Sequence, residues 1–165
     1  MKKLLILRHA KSSKDNPSLK DYDRPLNDRG FKQSPLVGQF LKKKKITPGL
    51  ILSSKAVRDR QTAEIVAKES GYQGELILTD KLYEAKIPTY IQILQKTPEK
   101  FDFVMLVGHN PAHEEFVNRL VRKEKHLSTA ALAQIHLPIK KWKDLHLDTK
   151  ATLVDLWQPD VLPAD

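Results

Sequence analysis

The chain has 165 residues, 40% apolar and 30% charged, with 29 basic against 20 acidic side chains for a net charge of +9, and no cysteine. That size and balance predict one globular domain over residues 1–165 with a sizeable core. They exclude disulfides and thiolate metal ligands. The longest apolar runs, 4–7 and 103–107, are far too short to cross a bilayer. Met1-Lys2-Lys3 and the apolar residues after it are not expected to form a signal peptide, because the run is short and Arg8-His9 follows without a small-residue cleavage site. The expected setting is the reducing cytoplasm. The positive excess admits a nucleic acid partner, but no aromatic-rich basic strand, zinc spacing or helix-turn-helix pattern goes with it. Runs such as Lys42–Lys45 read instead as a solvated surface that also steers anions.

In chain order, residues 3–8 read as an apolar strand that ends on Arg8-His9. The polar stretch 15–23 predicts a loop over the active site. Across 27–45, Leu36, Val37, Phe40 and Leu41 have helical spacing, but Pro35 interrupts a helix begun at Asn27. This leaves two readings: a kink, or a main helix capped by Ser34. A short strand at 50–53 leads into a helix over 56–70, with Val57, Ala63, Ile65, Val66 and Ala67 as its apolar positions and Gly71 suited to end it. After a strand at 76–79, Pro88 opens a helix over 88–96. A strand at 102–107 ends in Gly108-His109, and Asn110-Pro111 supplies the cap and first residue of a helix over 111–122. Residues 130–137 and 151–157 alternate as strands, and the tail after Pro159 carries no readable signal. Strands alternating with helices predict a three-layer α/β/α fold around a mostly parallel central sheet.

Arg8, His9, Arg58 and His109 all follow strands, and in open α/β sheets ligands bind outside the carboxyl ends of the strands. Four motifs stand in order: Leu7-Arg8-His9, Ser53-Ser54-x-x-x-Arg58-x-x-Gln61-Thr62-Ala63, Leu82-Tyr83-Glu84-Ala85 and Val107-Gly108-His109-Asn110-Pro111. Together they resemble the histidine phosphatase superfamily, whose fold is phosphoglycerate mutase-like. The short length and the stretch 23–30, Asp-Arg-Pro-Leu-Asn-Asp-Arg-Gly, are similar to its branch of small phosphohistidine phosphatases of the SixA type. The resemblance spans about residues 3–135.

The resemblance implies hydrolysis without metal or cofactor, through a phosphohistidine on His9. Phosphoryl transfer is mostly positioning and charge stabilisation, for which the guanidiniums of Arg8 and Arg58 are suited. Counting back from Gln61-Thr62-Ala63 selects Arg58 over Arg60. The blander reading of either arginine is a surface salt bridge. A nucleophilic His9 must be neutral on the attacking nitrogen, with its other N–H held by an acceptor such as a backbone carbonyl; the neighbouring positive charges lower its pKa. His109 is implied as a second donor to the phosphate, against a capping role for the helix that follows. Glu84 matches the position of a general acid, against a solvated loop carboxylate, and Arg24 and Asn110 complete the expected substrate-binding set. One departure is Ala10, where the family has glycine; a methyl fits only if the backbone avoids positive φ. His113, His126, His136 and His146 read as ordinary surface or helix residues, and Glu114 and Glu115 lie at the wrong helical offsets to share a metal with His113.

The implied substrate is phosphohistidine on a partner protein of a phosphorelay or phosphotransfer system, since little sequence is left for an insertion enclosing a small metabolite. A phosphatase of small phosphate esters is the alternative within the class, and a mutase fits less well for want of extra loops. A non-catalytic phosphoprotein-binding module is the alternative outside it; the presence of both histidines and both arginines argues against that.

Overall fold

The structure, a computed structural model, describes residues 1–159; the rest of the tail after Pro159 lies outside the described residues. Strand β1 (Lys2–Arg8) is apolar on both faces and is covered on both. Leu4 and Ile6 enter one core cluster and Leu5 and Leu7 the other, the period-two alternation of a strand in the middle of a sheet. Strands β2 (Leu50–Ser54), β3 (Leu76–Thr79) and β4 (Phe103–Gly108) join it, followed by β5 (Leu132–Leu137) and β6 (Thr152–Trp157), in the order β3-β2-β4-β1-β5-β6. The first four strands of that order pair in parallel, whereas β5 pairs antiparallel with both β1 and β6. The expected mostly parallel sheet is thus closed at one edge by an antiparallel pair.

Helices α1 (Asp28–Lys44) and α2 (Val57–Ser70) cover the face of Leu5 and Leu7 through Val37, Leu41, Ala63 and Val66. Helices α3 (Ile87–Gln95) and α4 (Ala112–Val121) cover the other face through Tyr90, Leu94, Phe116 and Leu120. Truncating one of these fully buried leucines to alanine costs about 2–5 kcal/mol. No helix among the described residues is long and apolar enough to cross a membrane.

Three local readings change. Helix α1 starts at Asp28, capped by the Asn27 side chain, which accepts from Gly30 N at 3.0 Å, and runs on through Pro35. Ser34 is no cap: it is buried inside the helix, where its hydroxyl donates to the Gly30 carbonyl at 2.8 Å. Gly30 is required by proximity, since a Cβ there would sit 2.1 Å from the Lys11 carbonyl oxygen. Helix α4 begins one residue later than expected, with Pro111 in the cap position, while the Asn110 side chain still serves the helix start by accepting from Glu114 N at 3.2 Å. His113 is no surface residue. It is fully buried, donates from Nε2 to the Leu106 carbonyl at 3.3 Å and accepts at Nδ1 from Tyr90 at 2.5 Å.

Candidate active site

Parallel pairing sets Arg8 beside Gly108 and Ser53 beside Val107, so the chain leaves β1, β4 and β2 at one edge of the sheet. There Arg8, His9, Arg58, His109, Arg24 and Asn110 line a single cavity of about 270 Å³, with Lys11, Lys14 and Asp21 among its other walls. His9 is 6% exposed. Its Nδ1–H donates to the Ala10 carbonyl at 2.6 Å, leaving Nε2 as the acceptor, and Arg58 Nε donates to it at 3.3 Å. Ala10 N donates to Thr62 Oγ1 at 3.0 Å, and Thr62 in turn donates to the Arg58 carbonyl at 2.8 Å. The end of β1 is thereby tied to the first turns of α2. The methyl of Ala10 fits because this residue stays out of the left-handed region, which Lys45, Arg122 and Ala130 enter.

The two arginines are held differently. Arg8 donates from Nη1 to the Leu127 carbonyl at 2.9 Å, while its buried Nε has no protein acceptor among the described residues. Arg58, 3% exposed, spends Nη1 on the Asp21 carbonyl at 2.7 Å and Nη2 on Asp21 Oδ2 at 3.0 Å. Asp21 also accepts from Tyr83 at 2.7 Å and from Arg24 Nη2 at 2.9 Å. Asn110 donates to the Leu127 carbonyl at 2.9 Å and to Glu114 Oε2 at 3.1 Å. Its amide thus braces the segment that receives Arg8.

Burial is the main force on the His9 imidazole. It lowers the pKa to about 4, aided by Arg58 and Arg8 and opposed by Asp59. The neighbouring positive charges expected to do this are therefore the smaller influence. Burial also lowers Arg8 from its ordinary value. For Asp21 burial acts upward, but hydrogen bonds from Tyr83 and Arg24 and the Arg58 charge outweigh it and hold the carboxyl well below the usual range. Burial, then the bond to Asp21, push Tyr83 up to about 12. Asp21 is therefore an anion at neutral pH.

His109 donates from Nδ1 to Asp59 Oδ2 at 2.9 Å, and the side chain that accepts from the first turn of α4 is that of Asn110, from Glu114 N at 3.2 Å, so a capping role for the His109 ring is not what the fold uses. Glu84 is exposed and stands apart from that pocket, on the wall of a neighbouring cavity of about 340 Å³ that also reaches His109 and Tyr83. Among the described residues no group of three or more His, Asp or Glu could hold a metal ion.

The family model for the histidine phosphatase superfamily (branch 1) matches residues 4–117. The chain belongs to the histidine phosphatase superfamily. An uncharacterized chloroplastic protein of Arabidopsis thaliana is 31% identical over 153 residues, covering 87% of this chain and 70% of its own. An uncharacterized protein of Mycobacterium tuberculosis is 30% identical over 105 residues, 64% of this chain; the match spans 63% of that protein, less than two thirds of its length. A solved structure from Agrobacterium tumefaciens, assigned as the phosphohistidine phosphatase SixA, superposes with a TM-score of 0.82 at 27% identity, covering 96% of this chain and 98% of the other. The fold is thus phosphoglycerate mutase-like, and the chain is a hydrolase acting on phosphate esters.

Two residues of this histidine phosphatase site escape the motif reading. Asp21 sits in a polar stretch with no pattern of its own, and only tertiary packing brings it onto Arg58. Asp59 did carry a signal. Counted from 59, the helical stripe Thr62, Ala63, Val66 and Ser70 is buried throughout, and an aspartate on that stripe is an acid aimed at the core.

Proposed function

We propose that this chain hydrolyses phosphohistidine on a partner protein, with His9 as the nucleophile. The observation that carries the reading is the state of His9: a neutral imidazole whose Nδ1–H is bound to the Ala10 carbonyl and whose Nε2 touches Arg58. Nε2 attacks phosphorus, a P–N bond to His9 forms, and the bond to the leaving imidazole breaks, its electrons going to a ring that picks up a proton from water. Water then attacks phosphorus, the bond to His9 breaks, and inorganic phosphate leaves. Arg8, Arg58 and His109 hold the equatorial oxygens, and Arg24 supports the rim. The superfamily, the SixA-assigned relative and the exposed lysines Lys11 and Lys14 at the pocket mouth all support a phosphoprotein of a phosphotransfer or phosphorelay system as partner. The lack of cysteine supports a cytoplasmic setting.

A second reading, cleavage of small phosphate esters, draws on the cavity that Glu84 shares with His109, where an alcohol and its proton donor would fit. Turnover of an aryl phosphate and of a phosphohistidine protein by wild type and His9→Ala tests the proposal. The expected result is turnover of both by wild type, none by the variant, and acid-labile phosphate trapped on His9. Label on His109, or turnover by His9→Ala, overturns the assignment. An inactive wild type that binds phosphoprotein points to a binding module.

A further inference from the structure

Asp59 is a buried charge that the proposed reaction does not use. It is 0% exposed, and its Oδ1 has no hydrogen-bond partner among the described residues. A desolvated carboxylate with half its acceptor capacity empty is costly, so a chain that needed only packing there would carry alanine or serine. Helix capping does not explain it. Asp59 is the third residue of α2, the position from which an acid reaches back to the N-cap N–H, yet the Ala56 N–H is taken by Ser54 Oγ at 3.1 Å. Among the described residues, the one bond its carboxylate makes is to Nδ1 of His109, at 2.9 Å. Burial acts to raise the Asp59 carboxyl, but the bond from His109 foremost, together with the nearby Arg58 charge, lowers it.

We infer that Asp59 is a positioning residue of this phosphatase, acting through His109 by fixing its Nδ1–H and reserving Nε2 for the phosphoryl group. An imidazole can flip and can carry its proton on either nitrogen; a buried carboxylate at Nδ1 removes both freedoms. A phosphoryl oxygen only accepts, so His109 must present Nε2–H to it. An imidazole with N–H on both nitrogens is a cation, and the Asp59 carboxylate balances that charge inside the protein. The pair delivers one oriented donor to the cavity that Arg8 and Arg58 also line, without adding net charge to the site.

The inference rests on the phosphatase reading, and a mutant cycle separates the two. Asp59→Asn keeps shape and removes the charge. It should lower kcat on an aryl phosphate on the order of 10–100-fold, with KM changed less than about threefold, while Asp59→Ala loses at least as much. His109→Gln alone should also be slow, and adding Asp59→Asn to it should cost nothing more, because a residue acting only through His109 has nothing left to position. A downfield Nδ1 proton of His109, visible by nitrogen-edited NMR in wild type, should disappear in Asp59→Ala. Losses that add in the double variant, or an Asp59→Asn enzyme with wild-type kcat, overturn the inference and leave the phosphatase reading intact. A wild type without turnover overturns both.

Discussion

Arg58 Nε donates to Nε2 of His9 at 3.3 Å, so the candidate nucleophile and the candidate phosphate-binding cation are in direct contact. The bond aims the imidazole lone pair at the side of the pocket where the guanidinium waits. The rest of Arg58 is held by the Asp21 carbonyl and carboxylate. Lysine at this position keeps the charge but has neither the fork nor an Nε. Arg58→Lys should lower kcat/KM on the order of 10²–10³-fold in steady-state kinetics with an aryl phosphate. A loss under threefold would mean that the guanidinium geometry is not used.

The two buried imidazoles make a pH prediction. Burial, as the largest influence, holds both His9 and His113 down to about 4, whereas in the unfolded chain each returns to roughly 6.5. Between those values the unfolded chain binds more protons, so stability falls as pH drops from about 6.5 to about 4, with a slope of up to about 2.7 kcal/mol per pH unit for two groups. Denaturant titrations from pH 7 to pH 4 should show the fall, and His9→Gln should remove about half of this contribution. A flat profile would contradict neutral burial. Kinetically, kcat/KM should hold on the acid side until the pH nears 4, because only then is His9 protonated in the free enzyme.

Asp21 offers Arg58 a carboxylate where, on the proposed function, a substrate offers phosphate. Its side chain is 54% exposed, so solvent screens the effect. Asp21→Ala should tighten inorganic phosphate roughly three- to tenfold at low salt, shrinking as salt rises. Calorimetric titration measures it. Weaker binding in the variant would show instead that Asp21 serves mainly to hold Arg58 in place.

Glu84 separates the two substrate classes. An alkoxide must be protonated as it leaves, and losing that proton donor costs on the order of 10²–10⁴ in rate; an imidazole leaves readily without it. Glu84→Gln should keep most activity on a phosphohistidine protein and lose it on an alkyl phosphate. Because the residue is exposed, the variant should melt like wild type. Equal, severe loss on both substrates would favour the small-ester reading.

Local residue order determined most of the fold. Apolar runs of strand length alternating with amphipathic helices leave few arrangements other than a parallel sheet covered on both sides, and Leu4 to Leu7 show both coverings in four consecutive residues. The same order brought Arg8, His9, Arg58 and His109 to strand ends, which in a parallel sheet means one edge. Tertiary structure decided the rest. Pro35 stays inside α1, where Ser34 bonds the Gly30 carbonyl one turn back and Gly30 itself lets the helix approach Lys11 closely. His113 is buried because Tyr90 and Leu106 satisfy its two nitrogens from other elements. Asp21 meets Arg58 across 37 residues and Asp59 meets His109 across 50. A motif records which side chains a segment carries. Which of them share a low-dielectric pocket, and so set one another's charge and proton, is settled only when distant segments pack together.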